Sequence, residues 1–545
     1  MKKKKKSQDQ ALQQTQCETE TPCPERAKCP IVGLGASAGG LDAFKQFLDH
    51  MPPNSGMAFV LVQHLDPHHE SLMPELLAKH TAMPVKRLED NDSVEANHIY
   101  VTPANAVILM ERCTFRIRPL PAPGSRRLPI DEFFRSLARD QGENVIGIVL
   151  SGTGTDGTLG LRAIKQEGGL TIAQVPEAAE YDSMPRSAIA AGVVDHVLPV
   201  QQMPGVILEY IRHVIHLQGQ TSAEAAQVKT AKALSQVFPL LHRATGHDFS
   251  HYKQSTLLRR LQRRMQVTYS PSLDAYVQLL QSTPREAQEL FKDLLIGVTQ
   301  FFRDPEAFDT LADKVLPEIF RDKSTDVPVR VWIPGCATGE EAYSLAMLLA
   351  EYISSNHLRH RVQIFATDID DEALEAARKA QYPESIREHM PTAEWTKYFV
   401  RRDSTWEVTE QIREMCIFSL HNLIKDPPFL RLDLISCRNL LIYMEAELQR
   451  NLLPLFHYAL NPSGFLFLGP SENVAARSEL FRLAHKKHRI FQRKPSLLRP
   501  TVKVPAFSLE RGYRFQAPLA ALAPMPKEQT VVRSIERVLL EELAP

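Results

Sequence analysis

Two glycine-rich turns, each closing a run of β-type residues, constrain this chain more than any other feature. Ile31–Gly40 reads IVGLGASAGG and carries a serine at its apex. Val331–Glu341 reads VWIPGCATGEE and offers two glutamates instead of a nucleophile. A glycine turn between a strand and a helix is the usual ligand-binding corner of an open α/β sheet, beyond the carboxyl ends of its strands. Two such turns with different chemistry predict two sites on one polypeptide.

The surrounding pattern agrees. Strand signals at Ile31–Leu34, Met57–Val62, Ile99–Val101, Val145–Leu150 and Leu170–Ala173 alternate with helical spacing at Leu41–Met51, Asp131–Arg139 and Leu159–Gln166. A second alternating run covers Val329–Ile333, Ala342–Ile353, Val362–Ala366 and Glu372–Lys379, with later strands at Leu432–Ser436 and Phe465–Leu468. Between them, 230–320 is helical in pattern almost throughout. The expected fold class is α/β: two doubly wound, mainly parallel sheet domains, with an all-helical subdomain preceding the second. The expected divisions are a disordered arm at 1–29, a first domain at 30–216, a linker at 217–229 and a helical subdomain at 230–310. A second sheet domain at 311–495 and a proline-rich tail with a short helix at 496–545 complete the chain.

Composition narrows the function classes. The 64 basic and 64 acidic residues balance, so net charge directs the chain toward neither nucleic acid nor an acidic membrane surface. No run approaches the ~18 apolar residues that span a bilayer, so no membrane insertion is expected. The Lys2–Lys6 run is followed by polar SQDQALQQTQ, which a secretory signal would not allow. Seven cysteines in 545 residues make no disulfide framework, and Cys17, Cys23 and Cys29 read as loose thiols; no metal site is expected. A cytoplasmic protein of unknown oligomeric state fits these features.

The first turn satisfies two patterns. Gly33, Gly35 and Ala38 fit the dinucleotide-binding G-x-G-x-x-A, and Gly35-Ala-Ser37-Ala-Gly39 fits the G-x-S-x-G nucleophile elbow. A dinucleotide site wants a carboxylate at the tip of the next strand; here that strand ends in Gln63-His64. A third strand, Val145–Leu150, ends in a glycine-rich loop that contains Asp156. Singly, Asp156 is an ordinary turn residue and His64 a structural histidine. Together, Ser37, His64 and Asp156 supply a nucleophile, its base and an orienting acid, with amides such as those of Ala38 and Gly39 for an oxyanion.

The segments GLGASAGG, VLVQHLDP and VLSGTGTDGTLGLRAIKQEGG resemble the catalytic domain of the chemotaxis protein-glutamate methylesterases (CheB), over about 30–216. The resemblance implies a Ser37–His64–Asp156 triad that hydrolyses glutamate γ-methyl esters on chemoreceptors, within a phosphorelay signalling system; some members also deamidate glutamine. The receiver domain usual in that family has no room in 29 polar residues, so control by phosphorylation in cis is not expected.

The second turn lacks the Lys-Ser/Thr of a phosphate loop and ends in Glu340-Glu341. Carboxylates repel a pyrophosphate but suit an ammonium. The next strand ends in Thr367-Asp368, which is suited to a ribose. Ribose plus ammonium without phosphate describes S-adenosyl-L-methionine; the plainer alternative is a capped helix with surface acids. With FKDLLIGVTQFFRDPEAF (Phe291–Phe308) and FSLHNLIKDPPFLRLDLISCRNLLIY (Phe418–Tyr443), this region resembles the chemotaxis protein-glutamate methyltransferases (CheR), over about 230–495. The resemblance implies cofactor or substrate contacts at Thr299, Arg303, one of Glu340 and Glu341, Asp368, Asn422, Leu423, Asn439 and Leu440, with Tyr443 as a second positioning group. Gly297 stands where some members place asparagine. The implied partners are methyl-accepting chemotaxis receptors or similar signalling proteins, and the implied activity is a reversible methylation of receptor glutamates. The rival reading is a signalling scaffold that keeps both folds without turnover.

Two other segments carry expectations. Arg259, Arg260, Arg263 and Arg264 lie on one helix, LLRRLQRRM, and read as a solvated face; by resemblance such helices face the acidic methylation helices of receptors. A strand-rich insert at about Tyr398–Ile412 resembles a subdomain that docks a receptor tail. The final helix, Val532–Leu543, resembles the start of a connector to sensory domains.

Overall fold

A computed structural model describes residues 29–63, 72–104, 106–119, 128–218, 223–295, 297, 299–383, 386, 395–402 and 405–495. His64, almost all of the expected arm and the whole of 496–545 with its expected helix lie outside the described residues. The described residues fall in one compact unit, and no described helix is long and apolar enough to cross a membrane.

The first domain begins with strands β1 (Ile31–Ala36), β2 (Ala58–Gln63), β3 (Val85–Arg87) and β4 (Ile99–Val101) and the hairpin β5 (Ala106–Glu111)–β6 (Thr114–Pro119). It continues with β7 (Val145–Val149), β8 (Leu170–Gln174) and β9 (His196–Leu198). All but the hairpin form one parallel sheet in the order β3-β4-β2-β1-β7-β8-β9. Alternate residues of β1 face opposite sides, as strand geometry requires. Val32, Leu34 and Ala36 enter the core on one side of the sheet, and Ile31 enters the core on the other. On that second side Gly33 and Gly35 lie under the helix Pro129–Gln141. A Cβ on Gly33 would sit 2.7 Å from Phe134 Cε1, and one on Gly35 2.4 Å from Ile130 Cγ2. These glycines let the helix press directly on the central strand.

The second half is built on β10 (Val329–Pro334), β11 (Val362–Asp368), β12 (Gln381–Pro383), β13 (Phe399–Arg402), β14 (Thr405–Val408) and β15 (Cys416–Leu420). It closes with β16 (Leu432–Cys437), β17 (Leu460–Leu468), β18 (Phe481–His485) and β19 (Ile490–Arg493). The main sheet runs β15-β11-β10-β16-β17-β19-β18, parallel from β15 to β17 and antiparallel beyond. The insert forms a separate antiparallel sheet, β12-β14-β13. Before this half, helices Ala223–Thr245, Gln254–Val267, Leu273–Ser282 and Pro284–Leu295 pack around Leu241, Phe249, Leu261, Tyr276 and Leu290.

Two expectations change here. The stretch read as a linker is helical from Ala223 onward, because AEAAQVKTAKAL is rich in strong helix formers; residues 219–222 lie outside the described residues. The basic helix is not a solvated face. Arg260, Arg263 and Arg264 are buried and hold the two halves together. Arg260 Nη1 donates to Lys165 O at 3.1 Å and Arg263 Nη2 to Gly169 O at 3.3 Å. Arg263 also pairs with Asp195 of the first domain and with Asp293 at 2.5 Å, and Lys165 Nζ lies 3.2 Å from Asp195. Arg264 makes a forked pair with Glu286 at 2.9 and 2.7 Å, which also accepts the Tyr276 hydroxyl. Arg259, half-exposed beside Glu167, comes closest to the expected surface role.

Candidate active sites

The central strand of each sheet ends at a reversal of strand order, where the loops on either side diverge and leave a crevice. In the first sheet β1 has β2 on one side and β7 on the other. Ser37 follows β1 and is 8% exposed. Its N–H donates to Ser151 O of the loop after β7 at 3.0 Å, and Gln63 Nε2 donates to its carbonyl at 3.3 Å. Gly152 is required at this junction: a Cβ there would meet Met184 Sδ at 2.2 Å and Ser37 Cβ at 3.0 Å. Gly39 has φ +73, and a Cβ on it would lie 2.6 Å from Ser151 Oγ. The helix Gly40–His50 starts immediately after, so the Ala38 and Gly39 amides stand at a helix N-terminus.

Asp156 is buried on the same loop after β7. Its carboxylate accepts N–H bonds from Ile130 at 3.1 Å, Asp131 at 2.8 Å and its neighbour Gly157 at 2.9 Å. The first two are N-terminal amides of Pro129–Gln141, which have no partner within their own helix and favour an anion. The helix that presses on Gly33 and Gly35 therefore also fixes Asp156. β2 pairs with β1 in the register Ala36↔Gln63; His64 follows Gln63 and lies outside the described residues.

The second crevice lies where β10 is flanked by β11 and β16. Its loop carries Gly335 (φ +74), Ala337 (φ +47) and Gly339 (φ +92). Phe302, Asp304 and Asn439 also have positive φ, so several left-handed non-glycine residues gather here, as strained backbone does at functional sites. Asp368 caps the loop. It accepts from Ala337 N at 2.8 Å, Ile369 N at 2.7 Å and Asp370 N at 3.1 Å. Burial nonetheless pushes its carboxyl up, against those bonds.

The two glutamates separate. Glu341 faces a small cavity of about 90 Å³ lined by Thr299, Arg303, Gly335, Arg438, Asn439 and Tyr443 among others. Ser436 Oγ donates to Glu341 at 2.6 Å, and Arg438 Nη1 lies 3.8 Å away. Burial raises the Glu341 carboxyl, opposed by Arg438, Ser436 and Arg303. Glu340 instead faces a larger cavity of about 1170 Å³ that also meets Asp368 and Thr299. Thr338 Oγ1 lies 2.9 and 2.7 Å from its two oxygens.

Thr299, Arg303, Glu340, Glu341, Asp368 and Asn439 thus gather around one loop. Leu440 contributes packing: a Cβ on Gly335 would lie 3.1 Å from its Cδ2. Asn422 and Leu423 stand apart from both cavities. The Asn422 Oδ1 closes a local turn by accepting from Ile424 N and Lys425 N, and Leu423 is buried in the core beside Trp332. Arg438 was missed. Its side chain is 1% exposed and stacks over Phe467, with its centre 4.7 Å from the ring centroid. One guanidinium nitrogen donates to Arg303 O at 2.9 Å and Asp304 at 2.6 Å. Nη1 and Nε have no hydrogen-bond partner among the described residues. The available signal was a basic residue immediately after the strand LDLISC. Glu472 was missed as well; it accepts from Asn439 N at 3.0 Å and Gly469 N at 2.7 Å and so holds Asn439 in place.

S-adenosyl-L-methionine fits these donors. A buried carboxylate suits its ammonium, and the guanidinium groups of Arg303 and Arg438 suit its carboxylate.

Comparison with known proteins agrees with both halves. The family model for the CheB methylesterase matches residues 32–207. Those for the all-alpha and SAM-binding domains of the CheR methyltransferase match 232–295 and 297–490. An uncharacterized 104.1 kDa protein of Rhodobacter capsulatus is 37% identical over 442 residues, covering 77% of this chain and 46% of its own length. The chain therefore spans less than half of that relative. The chemotaxis protein methyltransferase of Borreliella burgdorferi is 31% identical over 258 residues, 46% of this chain and 91% of that protein. The Thermotoga maritima CheB methylesterase catalytic domain shares 27% identity, covering 33% of this chain and 98% of that one, with a TM-score of 0.31. The chain belongs to the CheR chemotaxis protein methyltransferase family and carries a CheB methylesterase domain ahead of its methyltransferase domains.

Proposed function

We propose that the chain writes and erases one mark, the γ-methyl ester of glutamate side chains on methyl-accepting chemotaxis receptors or similar signalling proteins, in the cytoplasm. The segment 30–216 is the eraser and 230–495 the writer. What supports the eraser is the anchoring of Asp156 on the loop after β7, the strand that pairs with the β1 leading into Ser37.

In the eraser, Ser37 Oγ attacks the ester carbonyl while His64 takes its proton. The Ala38 and Gly39 amides hold the oxyanion, and Asp156 keeps the imidazole oriented and stabilises its charged form. His64 then returns the proton to the departing methoxide, which leaves as methanol. Water, activated by His64, hydrolyses the acyl-serine to the free glutamate. The same cycle on an amide releases ammonia and deamidates glutamine.

In the writer, S-adenosyl-L-methionine supplies an electrophilic methyl group on a sulfonium. Acid–base help is unnecessary, because a glutamate carboxyl titrates near ~4.3 and is ionised at neutral pH. The protein's task is alignment. Glu341 holds the donor's ammonium, Arg303 and Arg438 its carboxylate, and Asp368 the ribose hydroxyls, while Tyr443 steers the acceptor.

Labelled donor and receptor membranes test both halves. Ser37→Ala should abolish methanol release and leave methyl incorporation intact; loss or persistence of both would sink the assignment. Asp368→Ala should weaken donor binding by roughly tenfold or more, and an unchanged calorimetric affinity would remove its role.

A further inference from the structure

The segment after β8 closes over the turn that carries Ser37. Three hydrogen bonds fix it against the loop after β7. Gly152 N donates to Tyr181 O at 2.9 Å, Met184 N to Gly152 O at 3.1 Å and Tyr181 N to Ser151 Oγ at 3.0 Å. Ser151 Oγ in turn donates to Ala38 O at 2.9 Å. This anchoring sets Glu180 directly beside Gly39. A Cβ on Gly39 would lie 2.9 Å from Glu180 Cβ and 2.8 Å from its Oε2. Because Glu180 Cβ is itself so close, no rotation of the exposed side chain carries the carboxylate far from the turn. By bond lengths alone, Oε2 stands no more than ~9 Å from an oxygen bonded to the Gly39 amide.

An exposed glutamate is an anion at neutral pH. The cation of the same segment, Arg186, is engaged elsewhere: it pairs with Asp182 at 2.6 Å and lies 3.5 Å from Glu177. The reaction assigned to this turn changes the charge of what the turn holds. A neutral γ-methyl ester and water enter; methanol, a carboxylate and a proton leave. Amides at a helix N-terminus attract a carboxylate more than an ester, so the Ala38 and Gly39 amides favour retention of the product. A fixed negative charge beside them opposes that retention and acts little on the neutral ester. Two unit charges ~9 Å apart, at an effective dielectric between those of a protein surface and water, change affinity by about threefold to tenfold.

We propose that Glu180 is a specificity-determining residue of the esterase: its carboxylate, held beside Gly39, sorts side chains by charge, admitting the neutral γ-methyl ester and expelling the glutamate anion that hydrolysis makes. The inference rests on the esterase reading above. It also suits a chain that carries a writer, because the anion released by one site is the acceptor required by the other.

The experiment measures methanol release by the full chain from a peptide carrying one glutamate γ-methyl ester, with the same peptide bearing free glutamate as inhibitor. It is run at about pH 8, where an ordinary histidine is neutral. Glu180→Gln should tighten inhibition by the glutamate peptide by about threefold to tenfold and leave KM for the ester little changed. Glu180→Lys should tighten inhibition further, and Glu180→Asp should stay near wild type. These differences should shrink in about 1 M salt, where the screening length falls to ~3 Å. A merely structural role would not give a salt-sensitive gain in product affinity. Wild-type inhibition in both Glu180→Gln and Glu180→Lys, or a tightening that salt leaves untouched, would overturn the role of Glu180; with methanol release still lost in Ser37→Ala, the esterase would stand. Release that persists in Ser37→Ala would instead overturn the esterase reading.

Discussion

Glu341 shows how single residues in this protein are tuned by what surrounds them. Burial lifts its carboxyl above the usual range, while Arg438, Ser436 and Arg303 pull it back and Glu472 adds repulsion. The ammonium of a methyl donor needs the ionised form. Donor affinity should therefore fall as pH drops through the raised value, at a higher pH than an ordinary carboxyl near ~4.3 would dictate. Glu341→Gln should bind weakly throughout and lose that acid limb; an acid limb that survives in Glu341→Gln would assign it to another group. At this scale the sequence was informative where a motif names a residue type: Thr299, Arg303 and Asp368 all line a cavity. It could not separate Glu340 from Glu341, because neighbours at a helix start point about 100° apart and only the packed structure says which direction is which. Arg438 escaped because nothing local distinguishes a buried arginine from an exposed one; its burial depends on Phe308, Phe467 and Asp304.

At the scale of elements, the helix Pro129–Gln141 does two jobs through one placement. Its apolar face lies on Gly33 and Gly35, and its N-terminal amides hold Asp156. Gly33→Ala inserts a methyl 2.7 Å from the Phe134 ring. It should destabilise the domain by roughly 1–3 kcal/mol as overpacking. It should also slow ester hydrolysis as the helix shifts, measurable as a lower urea midpoint with reduced methanol release. An unchanged midpoint would show that the ring yields freely. These glycines were read for their turn, and their part in packing was not visible until the helix lay across them. The strands themselves were plain from their apolar runs. The helix within the stretch 217–229 was not foreseen, because Gly, Gln, Thr and Ser at its start look like a loop, while the alanine-rich run that follows is a good helix former.

Across the whole molecule, the boundary between the domains carries a buried charge network beside the apolar contact of Val267 and Tyr269 with the first domain's core. Lys165, Asp195, Arg263 and Asp293 share a buried network with Arg264 and Glu286 beside it. Removing one member strands the others in a low-dielectric setting, so Arg263→Ala should cost about 3–5 kcal/mol. For Asp195, burial pushes the carboxyl up, but Arg263 and Lys165 outweigh it and hold it well below the usual range. A carboxyl depressed by folding stabilises above its unfolded value near ~3.9, and that contribution is lost as pH falls through the folded value. The stability of wild type should therefore drop more steeply on acidification than that of Asp195→Asn, as followed by urea midpoints; parallel curves would remove Asp195 from the account. The four arginines of Leu257–Met265 were legible as one face, yet their partners Asp195 and Glu286 lie elsewhere in the sequence, and no spacing rule links them.

That arginine face has a practical consequence. Severing the chain between its halves would leave Arg260, Arg263 and Arg264 on the surface of one fragment, and Lys165 and Asp195 on that of the other. Within the liberated methyltransferase Arg263 would keep Asp293 and Arg264 would keep Glu286, and in the other fragment Lys165 would keep Asp195. The bonds lost would be those that cross the boundary, Arg263 to Asp195 and Gly169 and Arg260 to Lys165, so each fragment would meet water with a half-satisfied ion cluster in place of a sealed one.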